Sequence, residues 1–170
     1  GLTIDKAVET IRGQRGTKVK LTIARNGLDK SKEFTIVRDV IKIPTVSEKM
    51  LDKSIGYLEL NAFNENAGVG FNKALNSLKK QGMEKLILDL RNNPGGLLDL
   101  SIEIASYFLE PNKVVVIESF GDGKKSELKS VSNGSFKDLP LVILINKGSA
   151  SASEILAGAL HDQKGTVLVG

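Results

Sequence analysis

From Ile55 onward, apolar runs of strand length alternate with segments of helical periodicity, and this alternation limits the possible folds more than any other feature. Strand and helix in regular alternation is the sequence form of α/β layer proteins, whose sheets are mostly parallel. Residues 139–145 (LPLVILI) are apolar throughout, as expected of a strand that is buried on both faces. The sequence therefore predicts an α/β fold, a layered sheet with helices, over residues 55–170.

Periodicity and turn signals give the individual elements of this fold. Strands are predicted at residues 55–60, 85–90, 113–118, 139–145 and 166–169, and helices at residues 97–109 and 151–162. An earlier helix has a predicted inner face of Val69, Ala74, Leu75 and Leu78. Residues 121–138 are rich in glycine, lysine and serine, which predicts an exposed loop or hairpin.

The first 54 residues follow a different pattern. Thr3 as an N-cap, with apolar residues at helical spacing, predicts a short helix that closes at Gly13, and two alternating segments predict strands joined through Asn26-Gly27. Residues 1–38 are too few to bury a core alone, so they either pack on the rest of the chain or belong to a domain that begins earlier, which we favour. Residues 39–54 are predicted as a linker with room for an edge strand.

Composition and charge exclude several kinds of site. The chain has no cysteine and one histidine, His161, which rules out disulfides, cysteine nucleophiles and multi-histidine metal sites, so we expect no metal and no cofactor. No apolar run approaches the roughly 20 residues of a membrane-spanning helix. Residues 1–53 carry 12 basic and 7 acidic side chains. This excess indicates either an ordinary solvated surface or an anionic partner, namely nucleic acid, lipid headgroups or a peptide carboxylate.

The first junction that can carry chemistry is DLRNNPGG, residues 89–96, between a predicted strand and a predicted helix. Gly95 and Gly96 allow backbone N–H groups to approach a ligand, and the helix that follows adds the positive end of its dipole, so the turn suits negative charge. The alternative is an ordinary turn in which Asn92 and Asn93 bond to nearby backbone. The spacing matches neither a P-loop nor a dinucleotide fingerprint.

The second junction is NKGSASASE, residues 146–154, where a buried strand passes through small residues into a helix. Ser151 at the helix start can act as a nucleophile with the N–H of Ala152 as an oxyanion donor, as in strand-turn-helix serine hydrolases. The alternative is a capping box with Ser151 at the N-cap and Glu154 at N3. Both junctions end a strand and offer backbone donors at a helix start, which together favours an acyl-transfer site.

A nucleophilic serine also requires a base. His161 lies on the same predicted helix, and a rise of about 1.5 Å per residue puts it roughly 15 Å from Ser151, beyond hydrogen-bond reach. A lysine is the natural substitute, because burial lets it lose its proton near neutral pH. Neither Lys147 nor Lys164 is well placed for this role.

These motifs together resemble the carboxy-terminal processing (tail-specific) serine proteases, most closely the Gram-positive bacterial members. Residues 1–25 are similar to the second half of that family's PDZ domain, LILDLRNNPGG to its oxyanion loop and GSASASEI to its nucleophile motif. The resemblance implies a ClpP- or crotonase-like protease core (55–170) preceded by a partial PDZ domain (1–38). It assigns Ser151 as the nucleophile, the N–H groups of Ala152 and of Gly95 or Gly96 as the oxyanion hole, and Asp162 as a nearby acidic residue of supporting role.

The resemblance also implies a Ser-Lys dyad whose lysine lies in a glycine-flanked turn beyond Gly170, so that the 170-residue chain by itself is inactive. The implied function is an endopeptidase that cleaves proteins near free apolar C-termini, with the PDZ portion binding the substrate tail. It implies action outside the cytoplasm and no nucleic-acid partner, and a homo-oligomer is compatible with it. The alternative is a non-catalytic peptide-binding module with the same fold.

Overall fold

The chain divides into two compact units, Gly1–Ile43 and Pro44–Gly170. The computed structural model describes residues 3–25, 30–40, 43–131 and 134–170. The predicted Asn26-Gly27 turn lies outside the described residues. The division between the units falls within the segment that was predicted as a linker.

The first unit consists of helix α1 (Ile4–Ile11) and two antiparallel strands, β1 (Lys18–Ile23) and β2 (Lys32–Val37). Thr3 is the N-cap of α1, as predicted, and its side chain accepts a hydrogen bond from the Lys6 N–H. The Arg38 guanidinium joins helix to sheet, because Nε donates to the C=O of Ile11 at 2.7 Å and Nη1 to the C=O of Lys18 at 3.1 Å. Every residue of β2 is exposed, so this unit buries little core.

The second unit contains, in chain order, β3 (Val46–Met50), β4 (Ile55–Leu60), α2 (Ala67–Lys80), β5 (Lys85–Asp89), α3 (Leu98–Phe108), β6 (Val114–Ser119), β7 (Lys125–Lys129), β8 (Leu141–Leu144), α4 (Ala152–Lys164) and β9 (Val167–Val169). Five of these strands form one sheet in the order β3-β4-β5-β8-β9. The β3–β4 pair is antiparallel and the other pairs are parallel, which confirms the predicted mostly parallel sheet. β3, from the predicted linker, forms one edge.

Two features differ from the prediction. β6 does not join the main sheet but forms a separate antiparallel hairpin with β7, within the segment predicted as a loop or hairpin. Val69 is 78% exposed, so its place on the inner face of α2 was wrong. The inner face of α2 is formed by buried residues at helical spacing, among them Ala67 and Phe71. Val69 is two residues from each of these, which turns it about 200° around the helix and onto the opposite face.

The core lies between this sheet and the helices. Its largest fully buried side chains include Phe63, Phe71 and Phe108. α2 packs against β3, β4 and α3, and α3 packs against α4. None of the helices that the structure describes is long and apolar enough to span a membrane.

The sheet order explains why the two junctions meet. β5 and β8 are parallel neighbours, with Asp89 opposite Leu144. One step further, the Leu90 N–H donates to the C=O of Leu144 at 2.9 Å. The chain therefore leaves both strands at the same edge of the sheet, and the two turns emerge side by side.

Candidate active site

Ser151 stands at the tip of a sharp turn between β8 and α4. Its side chain is exposed and its backbone has φ 54° and ψ −118°, in a region that non-glycine residues rarely adopt. An ordinary N-cap has an extended backbone, so Ser151 is not simply a cap. Its N–H donates to Glu154 Oε2 at 2.7 Å, and the predicted capping box is present at this helix start, on a serine whose backbone is not that of an ordinary cap. A strained strand-to-helix turn that exposes a serine is typical of nucleophile elbows.

The first junction (residues 89–96, the glycine turn) contacts the second (residues 146–154, the serine turn) at Gly95. A Cβ built on Gly95 would lie 2.6 Å from the Ala150 carbonyl oxygen, 2.7 Å from Ser151 Cβ and 2.8 Å from the Ala152 nitrogen. Gly95 also has φ +92°, a left-handed conformation that favours glycine. A side chain at this position would therefore separate the two turns.

The N–H groups of the two turns are not equivalent. The Gly95 N–H donates to Asn93 Oδ1 at 2.9 Å and is already used. Within the described residues, neither the Gly96 N–H nor the Ala152 N–H has a hydrogen-bond acceptor. Gly96 is exposed, whereas Ala152 is 1% exposed and begins α4, where helix N–H groups lack internal partners. Of the two glycines predicted for an oxyanion hole, Gly96 is the one with a free N–H.

A third segment, which follows β4 and contains Phe63, contacts the glycine turn through backbone hydrogen bonds. The Phe63 N–H donates to the C=O of Gly95 at 2.9 Å, and the Leu97 N–H donates to the C=O of Phe63 at 2.8 Å. These two bonds form a parallel bridge opposite Gly96. The backbone on either side of Gly96 is thereby held in place.

Asn93, predicted only as a turn residue that bonds to nearby backbone, is the buried centre of several hydrogen bonds. It is 0% exposed, and its Nδ2 donates to the C=O of Leu60 at 2.7 Å. Its own C=O accepts from the Ala150 N–H and from Ser153 Oγ, each at 3.0 Å. Asn93, which lies in the glycine turn, therefore connects this turn to the end of β4 and to the serine turn. Its bond to the Gly95 N–H fixes the glycine turn itself.

Ser149 provides a further link between the junctions. Its Oγ donates to the C=O of Leu90 at 2.8 Å and accepts from the Asn146 N–H at 3.0 Å. The hydroxyls of Ser149 and Ser153 are thus committed to structural bonds, whereas that of Ser151 is presented to solvent.

A charged cluster lies just before the glycine turn. Asp89 is 2% exposed and accepts from Tyr57 Oη at 2.6 Å and from the Arg91 Nε at 3.0 Å and Nη2 at 2.5 Å. Burial alone would raise the pKa of Asp89, but the hydrogen bonds from Arg91 and Tyr57 together outweigh it and lower the pKa below the usual range. Burial, followed by the bond to Asp89, raises the pKa of Tyr57. Tyr57 was not predicted as a site residue, because no local sequence pattern links it to Asp89.

The structure does not bring Asp162 to Ser151. Asp162 is exposed near the end of α4, and a rise of about 1.5 Å per residue puts it roughly 16 Å from Ser151, so direct support of the serine is ruled out. His161 is exposed in the last turn with Nδ1 3.0 Å from the Thr166 carbonyl oxygen, as expected of a helix C-terminal residue. Lys164 donates to the C=O of Lys137 at the same end, and burial lowers its pKa. In the described ranges no cluster of three or more potential metal ligands occurs.

A mostly parallel α/β sheet that sets a strained serine turn against a glycine turn is an arrangement typical of serine hydrolases. The chain belongs to peptidase family S41, whose family model matches residues 54–170. It is 37% identical over 170 residues to the carboxy-terminal processing protease CtpA of Bacillus subtilis (strain 168), covering 100% of this chain and 36% of that protein. It is 42% identical over 174 residues to the carboxyl-terminal-processing protease of Synechocystis sp. (strain ATCC 27184 / PCC 6803 / Kazusa), covering 99% of this chain and 40% of that protein.

Among solved structures, the chain is similar to the photosystem II D1 C-terminal processing protease, with a TM-score of 0.67 and 29% identity over 92% of this chain and 44% of that one. The resemblance to carboxy-terminal processing proteases is thereby confirmed. The chain spans about two fifths of the length of these relatives.

Proposed function

We propose that this chain carries the nucleophile and the oxyanion hole of a serine endopeptidase. Ser151 Oγ adds to the scissile carbonyl carbon, its proton passes to a base, and the carbonyl oxygen becomes an oxyanion. Collapse of this intermediate breaks the C–N bond, releases the amine product and leaves an acyl-enzyme that water hydrolyses. The observation that carries this proposal is the strained, exposed Ser151 beside two backbone N–H groups that have no acceptor among the described residues.

The oxyanion donors that we assign are the N–H groups of Ala152 and Gly96. One comes from each turn, and the positive end of the α4 dipole adds to the Ala152 donor. Loss of a single donor of this kind costs about 10²–10³-fold in kcat in a serine hydrolase. Gly95 donates no hydrogen bond to the oxyanion in this assignment. Its role is to lack a side chain, which lets the two turns lie in direct contact.

The base that we assign is a lysine in the glycine-flanked turn implied by the family resemblance. In the parts of the chain that the structure describes, no hydrogen bond joins a lysine or His161 to Ser151. We therefore expect the isolated 170-residue chain to show no serine-dependent turnover. Hydrolysis by this chain that disappears in Ser151→Ala would instead assign the base to a group within it.

We further propose that the unit Gly1–Ile43 is the C-terminal part of a PDZ domain that binds the free apolar C-terminus of a substrate. A cavity of about 490 Å³ in this unit is lined by apolar side chains together with two arginines and one aspartate, namely Ile11, Val19, Ile36, Val37, Arg12, Arg38 and Asp39. A helix beside an antiparallel strand suits addition of a peptide as a further strand. Free-acid peptides should be cleaved faster than the same peptides ending in a carboxamide. By the same resemblance we place the enzyme outside the cytoplasm, which cell fractionation can check.

The central experiment compares wild type and Ser151→Ala in the full-length gene product with a peptide substrate that has an apolar C-terminus. Loss of turnover with retained peptide binding supports the nucleophile. Equal turnover in both proteins would contradict it. Binding without turnover in wild type would favour the alternative of a non-catalytic peptide-binding module.

A further inference from the structure

Two exposed asparagines, Asn92 and Asn146, one from each junction, are joined by two hydrogen bonds that run in opposite directions. Asn146 Oδ1 accepts from the backbone N–H of Asn92 at 2.9 Å and from that of Gly148 at 2.9 Å. Asn146 Nδ2 donates to Asn92 Oδ1 at 3.0 Å. The Asn146 amide therefore binds both its own turn and the glycine turn of the neighbouring strand.

The backbone around this pair is closely fitted. Asn92 has φ 59°, a left-handed conformation that asparagine tolerates better than most residues. A Cβ built on Gly148 would lie 2.9 Å from Asn92 Cα, so the two turns are in direct contact here as well. Because both asparagines are exposed, the pair is not required to satisfy buried polar groups. Its contribution lies in the alignment of the two turns.

We propose that Asn92 and Asn146 are positioning residues that hold the oxyanion donors of the two turns in register. This inference rests on the proposed function of Ser151, Ala152 and Gly96. On the buried side of the contact, Asn93 links the two turns by hydrogen bonds. On the solvent side, the Asn92–Asn146 pair links them. Both donors must lie about 3 Å from one oxygen atom, and a displacement of about 1 Å can cost roughly 10²-fold in rate.

The direction of the three hydrogen bonds makes a sharp test possible with two isosteric changes. Asn92→Asp keeps an oxygen that accepts from Asn146 Nδ2, and aspartate also tolerates the left-handed backbone. Asn146→Asp removes the Nδ2 donor and sets a carboxylate oxygen against Asn92 Oδ1, while its other oxygen still accepts from the backbone N–H groups of Asn92 and Gly148. The two substitutions change the composition equally, yet only the second breaks the side-chain hydrogen bond between residues 92 and 146 and replaces it with a repulsive contact between two oxygens.

The experiment measures kcat and KM of the full-length gene product with a peptide substrate. We expect Asn146→Asp to lower kcat about 10-fold or more with KM nearly unchanged, because a misplaced oxyanion hole affects mainly the transition state. Asn92→Asp should stay within about 3-fold of wild type. A peptide aldehyde, to which Ser151 adds to form an oxyanion, should bind about 10-fold more weakly to Asn146→Asp. The matching product peptide should bind both proteins equally.

Asn76→Asp is the matched control. Asn76 Nδ2 donates to Asn72 Oδ1 at 2.6 Å on the exposed face of α2, so this change also breaks an amide pair, away from the site. Urea unfolding reports whether each variant folds. If Asn146→Asp does not fold, Asn92→Gly takes its place, since it keeps the left-handed backbone, removes Oδ1 and should show the same loss in kcat.

Two results would overturn the inference while leaving the proposed function intact. In the first, wild type shows Ser151-dependent hydrolysis and Asn146→Asp or Asn92→Gly keeps the kcat of Asn76→Asp. In the second, Asn92→Asp loses as much activity as Asn146→Asp, which contradicts the orientation of the pair. Absence of Ser151-dependent hydrolysis in wild type would be a different result, in which the proposed function fails and the inference fails with it.

Discussion

Replacement of Gly95 by alanine tests the contact between the serine and glycine turns most directly. Gly95 has φ +92°, and a left-handed backbone costs a residue with a Cβ about 1–2 kcal/mol. The new methyl group would also lie within 2.8 Å of three atoms of the serine turn, two of which belong to the backbone. Overpacking of this kind costs about 1–3 kcal/mol, so the free energy of unfolding should fall by about 2–5 kcal/mol in Gly95→Ala.

Gly165→Ala supplies the control for backbone strain alone. Gly165 is the C-cap of α4 with φ +71°, and a Cβ built there would have no neighbour within 4 Å. Its replacement should cost only the left-handed term of about 1–2 kcal/mol. Urea unfolding of both variants in the same chain gives the overlap energy as their difference. Equal losses in Gly95→Ala and Gly165→Ala would refute the close approach of the two turns.

The same pair of variants separates stability from function in the full-length gene product. Gly95→Ala pushes Ser151 and Ala152 away from the glycine turn, so kcat should fall by at least about 10-fold in the protein that remains folded. Gly165→Ala should leave kcat unchanged. The assay is steady-state peptide cleavage under conditions in which circular dichroism shows both variants to be folded.

Two further changes probe the serine turn and the charged cluster. Ser151→Gly should abolish turnover, as Ser151→Ala does. Its free energy of unfolding, measured in urea, should exceed that of Ser151→Ala by about 1 kcal/mol, because φ 54° strains alanine and not glycine. Equal stability of the two variants would show that the turn is unstrained. The lowered pKa of Asp89 means that its carboxylate stabilises the fold above about pH 4, the unfolded value, and that this contribution is lost as the pH falls through the folded pKa. Asp89→Asn should therefore lower Tm at pH 7 by more than at pH 3, and a constant difference between these two pH values would contradict the ion-pair role.

Much of the second unit can be predicted from local sequence. Strands such as β5 and β8 are short apolar runs, and their alternation with amphipathic helices leaves few topologies other than a mostly parallel sheet. Parallel neighbours then bring the ends of their strands to one edge. The placement of Ser151 beside the glycine turn follows from this rule, so the location of the candidate site was accessible without a structure.

The roles of individual groups were less accessible, because they depend on contacts between distant residues. Whether Gly95 or Gly96 offers a free N–H is decided by one side-chain oxygen, Asn93 Oδ1. The partner of Asn92 is Asn146, in the turn that follows another strand, and no local pattern indicates this pairing. Asp162 was assigned by resemblance to a role near the serine, yet the length of α4 keeps it away. The β6–β7 hairpin likewise depends on pairing that periodicity does not encode.

The distribution of N–H groups over the two turns explains why their alignment matters so much for the proposed reaction. Residues 95, 96, 151 and 152 present four backbone N–H groups near the contact. Side chains accept from one of these on each turn, Glu154 from that of Ser151 and Asn93 from that of Gly95. The two that remain, on Ala152 and Gly96, belong to different turns that leave different strands. Neither turn alone can then supply both donors to an oxyanion. The proposed reaction therefore requires the contacts that hold the turn after β5 against the turn after β8. Weakening those contacts should lower kcat before it unfolds the protein.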